Sequence, residues 1–445
     1  MVTDAPGLTR SLTLRPVVLF GLAYLAPMIV LGTFGVLAET THGSAPTGYL
    51  LALVALLFTA LSYGKMSARF PVAGSAYSYT RRAIDGRLGF LVGWAVLLDY
   101  FFLPMVIWLI GADFLSAKFP GVPSWIWIVS FIVITSVLNI IGIKAAANAN
   151  LLLMVFQVLV LAAFVALSLR HVFHDTGVGG LVSGTPFVNG QTTISAVSAG
   201  AALAAYSFLG FDAITTLTEE TVEPRKTIPR AILLVLLIGG GIFLIVTYST
   251  QLVHPGGSFD DVDSAAFSIA KTIGGDLFSS LFLAGLIVTQ FASGLAAQAS
   301  VARLVYAMGR DSVFPKRVFG YIHPRFHTPV INIVLSGAVG LIALKLTVAT
   351  STSFINFGAF SAFTMVNVCV IAMFIRARGS EERQNVVTHV LFPAIGAVID
   401  VYLLFHLDGK AKLLGLIWLA VGVVYLAYLT RLFRRPPPEI EVVKD

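Results

Sequence analysis

Charged residues and cysteine are what this sequence has least of. Only 11% of its 445 residues are charged and 57% are hydrophobic, whereas soluble proteins carry roughly 25% charged residues. This composition excludes a soluble domain. The single cysteine, Cys369, excludes an intrachain disulfide. The sequence also lacks a phosphate-binding loop, a metal-binding spacing among its eight histidines and a nucleophile–base pair. We therefore expect no enzyme activity, no metal and no cofactor.

Apolar runs of about 20 residues, each long enough to cross a bilayer as a helix, recur along the whole chain. There is no strand pattern between them, and a helix satisfies its own backbone hydrogen bonds in lipid. We therefore predict an all-α polytopic membrane protein, with residues 1–445 forming one domain. The first run follows a stretch without a cleavable signal pattern, so we expect it to be a spanning helix. The twelve predicted spans are 16–38, 46–66, 88–115, 123–141, 149–170, 195–219, 228–253, 275–308, 329–349, 352–375, 387–406 and 411–433.

The basic residues are divided unequally between the two sides of such a bundle. Six of the 29 fall on one side, which leaves 23 on the other. Short loops rich in Lys and Arg stay in the cytoplasm, so both termini are predicted to be cytoplasmic. The net charge of +7 does not indicate a nucleic-acid partner, because these residues are scattered through short loops. The six are Lys118, Arg170, Lys271, Lys345, Lys410 and Lys412.

Two of the predicted spans contain a stretch that should interrupt the helix. In the first span, Pro27 has no N–H and clashes with the preceding turn. In the sixth span, Gly210 is a weak point just before Asp212. A helix broken near mid-membrane exposes backbone N–H and C=O groups that can bind a polar solute.

The two interruptions are five spans apart, which is the spacing expected of two five-helix repeats with inverted topology. We predict one repeat over about residues 16–170 and a second over about 195–375, with the helices of 387–433 outside them. The site should lie between the repeats at the midplane.

Asp99 and Asp212 are carboxylates with apolar sequence around them, and an ionisable group inside a span marks a functional site by default. Two such groups facing one cavity would attract a cation or share a proton. The alternatives are that Asp99 caps a helix or pairs with a serine, and that Asp212 faces a water-filled seam. Asp400 is a third intramembrane acid, but it lies outside the repeats and is interpreted as structural or interfacial.

Several aromatic residues lie at or beside the predicted breaks. A ring face attracts an ammonium ion, and a desolvated contact reaches about 2 kcal/mol. Each ring alone is more often a packing residue, but as a group beside two carboxylates they indicate a cation site. The predicted substrate-binding residues are Gly21, Tyr24, Pro27, Asp99, Tyr100, Tyr206, Ser207, Phe208, Leu209, Gly210 and Asp212. Asp99 and Asp212 are also the predicted ion-coupling residues.

Three stretches resemble the amino acid–polyamine–organocation superfamily of secondary transporters: RFPVAGSAYSY at 69–79, EETVEPRKTIPR at 219–230 and SVARLVYAMGRD at 300–311. Within it the chain is most similar to the bacterial putrescine importers, through residues 21–28 and 207–212 among others. The resemblance implies a LeuT-like fold with broken helices 1 and 6, and uptake into bacteria across the inner membrane. It also implies a proton or Na⁺ gradient as the driving force, protons being favoured, and it leaves the oligomeric state open. Tyr100 matches a tyrosine linked to substrate recognition in these importers.

Departures from the superfamily pattern bear on the substrate. Members that bind amino-acid carboxylates usually have a glycine-rich break in helix 1, whereas Tyr24 and Pro27 make a bulkier break here. Gln157 stands where some proton-linked members have a lysine, and Gly32 stands where the putrescine importers have an acidic residue. The favoured function is import of putrescine or a related amine; the alternative is an amino-acid permease or exchanger of the same superfamily. A membrane sensor is disfavoured because almost no sequence lies outside the bundle.

Overall fold

The computed structural model describes residues 11–71, 75–141, 147–310, 313–326, 328–377 and 385–437. Within these ranges the regular elements are helices, and the extended pairing is limited to a backbone bridge between Leu12 and Thr221. The predicted all-α architecture is therefore confirmed.

The helices follow one another without intervening domains. They are α1 (Leu14–Leu25), α2 (Ile29–Gly32), α3 (Phe34–Thr40), α4 (Ala45–Arg69), α5 (Ser75–Ala83), α6 (Gly86–Lys118), α7 (Ser124–Ile141), α8 (Ala147–Thr176), α9 (Val178–Leu181), α10 (Ile194–Ala204), α11 (Pro224–Val253), α12 (Ala265–Arg310), α13 (Lys316–Phe319), α14 (Val330–Gly340), α15 (Val348–Arg376), α16 (Phe392–Phe405) and α17 (Gly409–Leu429). Segments of 3₁₀ helix cover Ala205–Phe208, Ala213–Glu220 and Leu341–Lys345, and a π-helical turn covers Val387–Leu391.

Eleven helical segments in the described part of the chain are long and apolar enough to cross a membrane, and each corresponds to a predicted span. The remaining predicted span, 329–349, is a shorter apolar helix, Val330–Lys345. It combines 11 residues of α-helix with five of 3₁₀ helix. Because the 3₁₀ helix rises more per residue, the segment extends roughly 26 Å.

The structure refines the predicted boundaries at two spans. The first span, predicted as one segment over 16–38, is divided into α1, α2 and α3. The eighth was predicted to start at residue 275, and Gly275 is a kink in α12 with φ +67°. Residues 265–274 form helix before this kink, so the apolar pattern located the kink rather than the start of the helix.

Polar residues in the loops fix where several helices begin. Asp85, Thr193, Thr347 and Asp408 stand immediately before α6, α10, α15 and α17. Each side chain accepts a hydrogen bond from a backbone N–H of the first turn, at 2.8–3.2 Å. These N–H groups have no partner inside the helix, so the caps stabilise the helix starts.

The bundle interior is built from close helix pairs. α4 packs extensively against α11, and α6 against α12. α4 and α11 are the second spans of the two predicted repeats, and α6 and α12 are the third spans. A two-fold axis relating the repeats would bring the helices of each pair together. Small residues allow such approaches. An added Cβ at Gly358 of α15, for example, would lie 2.5 Å from the Ala95 carbonyl oxygen of α6. The division into inverted repeats itself stays a prediction.

Candidate substrate site

The first helix interruption follows α1 directly. α1 ends at Leu25, and Ala26 takes up a left-handed conformation with φ +46°. Its N–H donates to the Ala23 carbonyl at 3.2 Å, and the chain passes through Pro27 before α2 starts at Ile29. A left-handed alanine is strained, and such strain is concentrated at functional sites.

The second interruption follows α10 and is held open by glycine. The 3₁₀ turn that continues α10 ends at Phe208, Leu209 is extended with ψ 132°, and Gly210 has φ +111°. Regular structure resumes as 3₁₀ helix at Ala213. An added Cβ at Gly210 would lie 2.1 Å from Cδ1 of Tyr24, so the Tyr24 ring rests against this glycine. The two interrupted helices therefore meet at their breaks.

Asp212 lies at the end of the second break and is only 7% exposed. The Ser75 hydroxyl, at the start of α5, donates to its Oδ2 at 3.4 Å. The Asp212 carboxylate also interacts electrostatically with the hydroxyls of Tyr63 and Tyr79. This acid is therefore held in a polar pocket between the broken helix and α4 and α5.

Asp99 lies on α6 and is partly exposed. Its carboxylate interacts electrostatically with that of Asp212, and both carboxylates interact with the hydroxyls of Tyr24 and Tyr100. In the described part of the chain, neither acid forms an ion pair with a Lys, Arg or His. The structure thus brings four of the predicted site residues together as a pair of acids flanked by two phenols.

A cavity of about 220 Å³ opens beside this group. Its wall is formed by both helix breaks together with α6, α8 and α12. The lining residues are Phe20, Ala23, Tyr24, Leu25, Ala26, Ile29, Leu103, Ile107, Gln157, Tyr206, Leu209, Thr289, Gln290, Ala292, Ser293, Ala296, Ala297 and Ser300. Three of the predicted substrate-binding residues, Tyr24, Tyr206 and Leu209, are among them.

Asp99 is not part of the cavity wall but adjoins it. It precedes the lining residues Leu103 and Ile107 by one and two helical turns, so the three share a face of α6. Two lining phenols, those of Tyr24 and Tyr206, interact electrostatically with Asp99. The carboxylate is therefore close enough to two phenols of the cavity wall to interact with them.

Other predicted residues support the breaks from outside the cavity. The Tyr49 hydroxyl and Ser207 Oγ are 2.7 Å apart, and both side chains are buried. Phe208 packs against the Tyr49 ring, with 6.1 Å between centroids. Gly21 lies against Ile214, and Pro27 is buried inside the first break.

The sequence analysis did not predict the contribution of α12 to the cavity. Thr289, Gln290, Ser293 and Ser300 line the cavity from this helix. The signal was present, because Thr289, Ser293 and Ser300 recur at helical spacing within an apolar segment, which places them on one face. Gln157 of α8 also lines this cavity. It stands where some proton-linked members of the superfamily have a lysine.

Asp400 of α16 is buried away from this cavity. It accepts hydrogen bonds at Oδ2 from Thr59 Oγ1 at 2.8 Å and from Asn367 Nδ2 at 3.0 Å. These contacts connect α16 to α4 and α15, which agrees with its interpretation as a structural residue.

The all-α fold with many membrane-spanning helices is the one expected of a membrane transporter, and comparison with known proteins gives the same class. Residues 17–404 match the amino acid permease family, and the chain belongs to that family. It is a multi-pass membrane protein of a transporter family, as the resemblance in the three motifs implied.

Among individual relatives, the chain is 43% identical over 443 residues to the low-affinity putrescine importer PlaP of Escherichia coli K12, covering 99% of this chain and 98% of the importer. It is 26% identical to the methylthioribose transporter of Bacillus subtilis, over 96% and 95% of the two chains. It is 27% identical to the branched-chain amino acid permease BcaP of Lactococcus lactis, over 86% of each chain.

Proposed function

We propose that this protein imports putrescine or a related small amine across a bacterial inner membrane by alternating access, with protons as the coupling ion. The observation that carries the proposal is the pair of interacting carboxylates, Asp99 and Asp212, without a basic partner among the described residues. The 43% identity to a putrescine importer supports the choice of substrate.

The physical argument starts from the cost of burying charge. Two carboxylates inside membrane spans are unfavourable unless a cation or a proton compensates them. An ammonium group at one acid and a proton at the other neutralise both, and the faces of Tyr24 and Tyr100 add a favourable contact with the cation. Import driven by a proton gradient requires the amine and the proton to be carried together, so one acid binds the ammonium group while the other is protonated.

The surroundings of the two acids suggest a division of roles. Asp99 adjoins the cavity and is suited to the substrate ammonium. Asp212 is closed off by Ser75 and is suited to the coupling proton. The breaks beside both acids allow the two halves of each broken helix to move separately, as alternating access requires.

The alternative, an amino-acid permease or exchanger, fits this site less well. An amino-acid carboxylate would enter next to two existing carboxylates, and like charges at short distance repel. It would also require bare N–H donors at the first break. Here the Tyr24 ring covers the second break at Gly210 and crowds the space between the two breaks.

The test is uptake of radiolabelled putrescine into proteoliposomes containing the purified protein, driven by a proton gradient. We expect unlabelled putrescine to compete, glutamate and alanine not to compete, and a proton ionophore to abolish accumulation. Absence of putrescine uptake, together with uptake of radiolabelled glutamate or alanine by the same proteoliposomes, would overturn the amine assignment in favour of the alternative.

A further inference from the structure

A half-buried lysine near the end of α4, on the cytoplasmic side in the predicted topology, contacts the start of the eleventh span. Lys65 Nζ lies 3.2 Å from Thr388 Oγ1 and 3.2 Å from His389 Nε2. The other ring nitrogen of His389, Nδ1, lies 3.0 Å from the Asn385 carbonyl oxygen. The imidazole therefore donates at Nδ1 and accepts from Lys65 at Nε2. These contacts hold the ammonium group against the π-helical turn Val387–Leu391.

This lysine and a neighbouring arginine form a pair of cations without an acid. Arg69 follows Lys65 by one helical turn, so the two side chains lie on the same face of α4, and Arg69 is exposed. Among the described residues, neither of them forms an ion pair with an Asp or Glu. An ammonium group has three N–H donors, and Thr388 and His389 accept from two of those of Lys65. Two adjacent positive charges repel each other, so an anion between them is stabilising.

The surface beside the two cations is apolar. Val387 and Leu391, in the turn that contacts Lys65, are 45% and 50% exposed. The membrane-spanning segment Val387–Phe405 begins at this turn. The cations therefore lie where the apolar part of the protein ends, which is the level of the lipid headgroups. An anion that carries acyl chains fits both the cations and the apolar side chains, whereas a free anion fits only the cations.

We propose that Lys65 and Arg69 form a binding site for the phosphate group of an anionic phospholipid of the cytoplasmic leaflet, whose acyl chains pack against Val387 and Leu391. The third N–H donor of Lys65 and the guanidinium group of Arg69 bind the phosphate oxygens. Lipids of this leaflet are partly anionic and attract basic residues at the membrane surface. Because Lys65 already joins α4 to the eleventh span, the bound lipid stabilises the packing of these two spans.

The test is the melting temperature of the purified protein in detergent, because a ligand that binds the folded state raises it. The protein is titrated with short-chain phosphatidylglycerol, with short-chain phosphatidylcholine of the same chain length, and with inorganic phosphate. We expect phosphatidylglycerol to raise the melting temperature at the lowest concentration of the three. Lys65→Gln and Arg69→Gln should each need about tenfold more phosphatidylglycerol for half of the maximal rise.

Lys226→Gln is the matched control. It removes the same charge from the start of α11, where Lys226 is 69% exposed and pairs with Glu223 at 3.2 Å. This variant should need the same concentration of phosphatidylglycerol as the wild type within about twofold. The comparison uses the concentration for half of the maximal rise, so a lower starting stability in one variant does not affect it.

An unchanged phosphatidylglycerol requirement in Lys65→Gln and Arg69→Gln would overturn the site. An equal response of the wild type to phosphatidylcholine would also overturn it, since the charge of the headgroup would then not matter. An equal response to inorganic phosphate would overturn the lipid in favour of a free anion. No transport is measured, so each result is independent of the proposed function.

Discussion

Three of the carboxyl groups inside the spans of this protein, those of Asp99, Asp212 and Asp400, have different surroundings, and these predict different roles. Asp400 accepts hydrogen bonds from Thr59 and Asn367 in the bundle interior. Asp212 accepts one from the Ser75 hydroxyl and others from backbone N–H groups around Gly210 and Ala213. Asp99 accepts none from any described residue, and it is the acid that adjoins the cavity. The acid without a hydrogen bond from a described residue thus adjoins the cavity, where a cationic ligand could reach it. Asp400 instead joins helices through its Oδ2, while its buried Oδ1 has no partner among the described residues.

Tyr100 provides a test at the scale of a single residue. Its hydroxyl interacts electrostatically with both Asp99 and Asp212, and its side chain is partly exposed. If its ring faces the ammonium group, Tyr100→Leu should weaken putrescine competition by about 1–2 kcal/mol. Tyr100→Phe retains the ring and should lose less. Equal losses in the two variants would instead assign the contribution to the hydroxyl, and no loss in either would remove Tyr100 from the site.

The helix breaks are the elements that make the site possible. Glycine is required at position 210 for two reasons. The backbone there has φ +111°, which other residues rarely adopt, and an added Cβ would lie 2.1 Å from the Tyr24 ring. At the first break, proline removes a donor and Ala26 turns the chain. Each break depends on the backbone conformation at particular positions, and side chains elsewhere cannot impose that conformation.

Gly210→Ala should therefore abolish transport and lower the melting temperature of the protein in detergent. Gly241→Ala in α11 is the matched control, because an added Cβ there meets nothing within 4 Å. An alanine in a helix interior stabilises it by about 0.5–1 kcal/mol relative to glycine, so this control should transport normally and melt no lower than the wild type. Normal uptake by Gly210→Ala would show that the geometry of the second break is not needed.

Local sequence signals predicted much of this fold, but they did not predict contacts between residues that are far apart in the chain. Apolar runs located the spans, and Pro27 and Gly210 located the interruptions in two of them. The isolated acids predicted the charged part of the candidate site. The contact between Tyr24 and Gly210 joins residues far apart in the chain, and no local pattern reveals it. The contact of the buried Ser207 side chain with Tyr49 was also not predicted. The chain forms 3₁₀ helix at Ser207, so its side chains point in other directions than the α-helical spacing of the sequence would suggest.

At the scale of the whole molecule, the packing relates the site to the two predicted repeats. α4 and α11, and likewise α6 and α12, would be equivalent spans of the predicted repeats, and the helices of each pair are in extensive contact. The breaks in the first spans of the two repeats meet through Tyr24 and Gly210. A site between two such repeats would change shape if one moved relative to the other, as the proposed alternating access requires. The cytoplasmic location of both termini stays a prediction from the distribution of basic residues.

The central claim is that the unpaired acid beside the cavity binds the amine. Equilibrium binding of radiolabelled putrescine to the purified protein tests it most directly, with Asp99→Asn compared against Asp400→Asn. Both variants replace a membrane-embedded carboxylate, but only Asp99 adjoins the cavity. We predict that Asp99→Asn weakens binding at least about tenfold, while Asp400→Asn binds within about twofold of the wild type. Wild-type affinity for putrescine in Asp99→Asn would contradict the account.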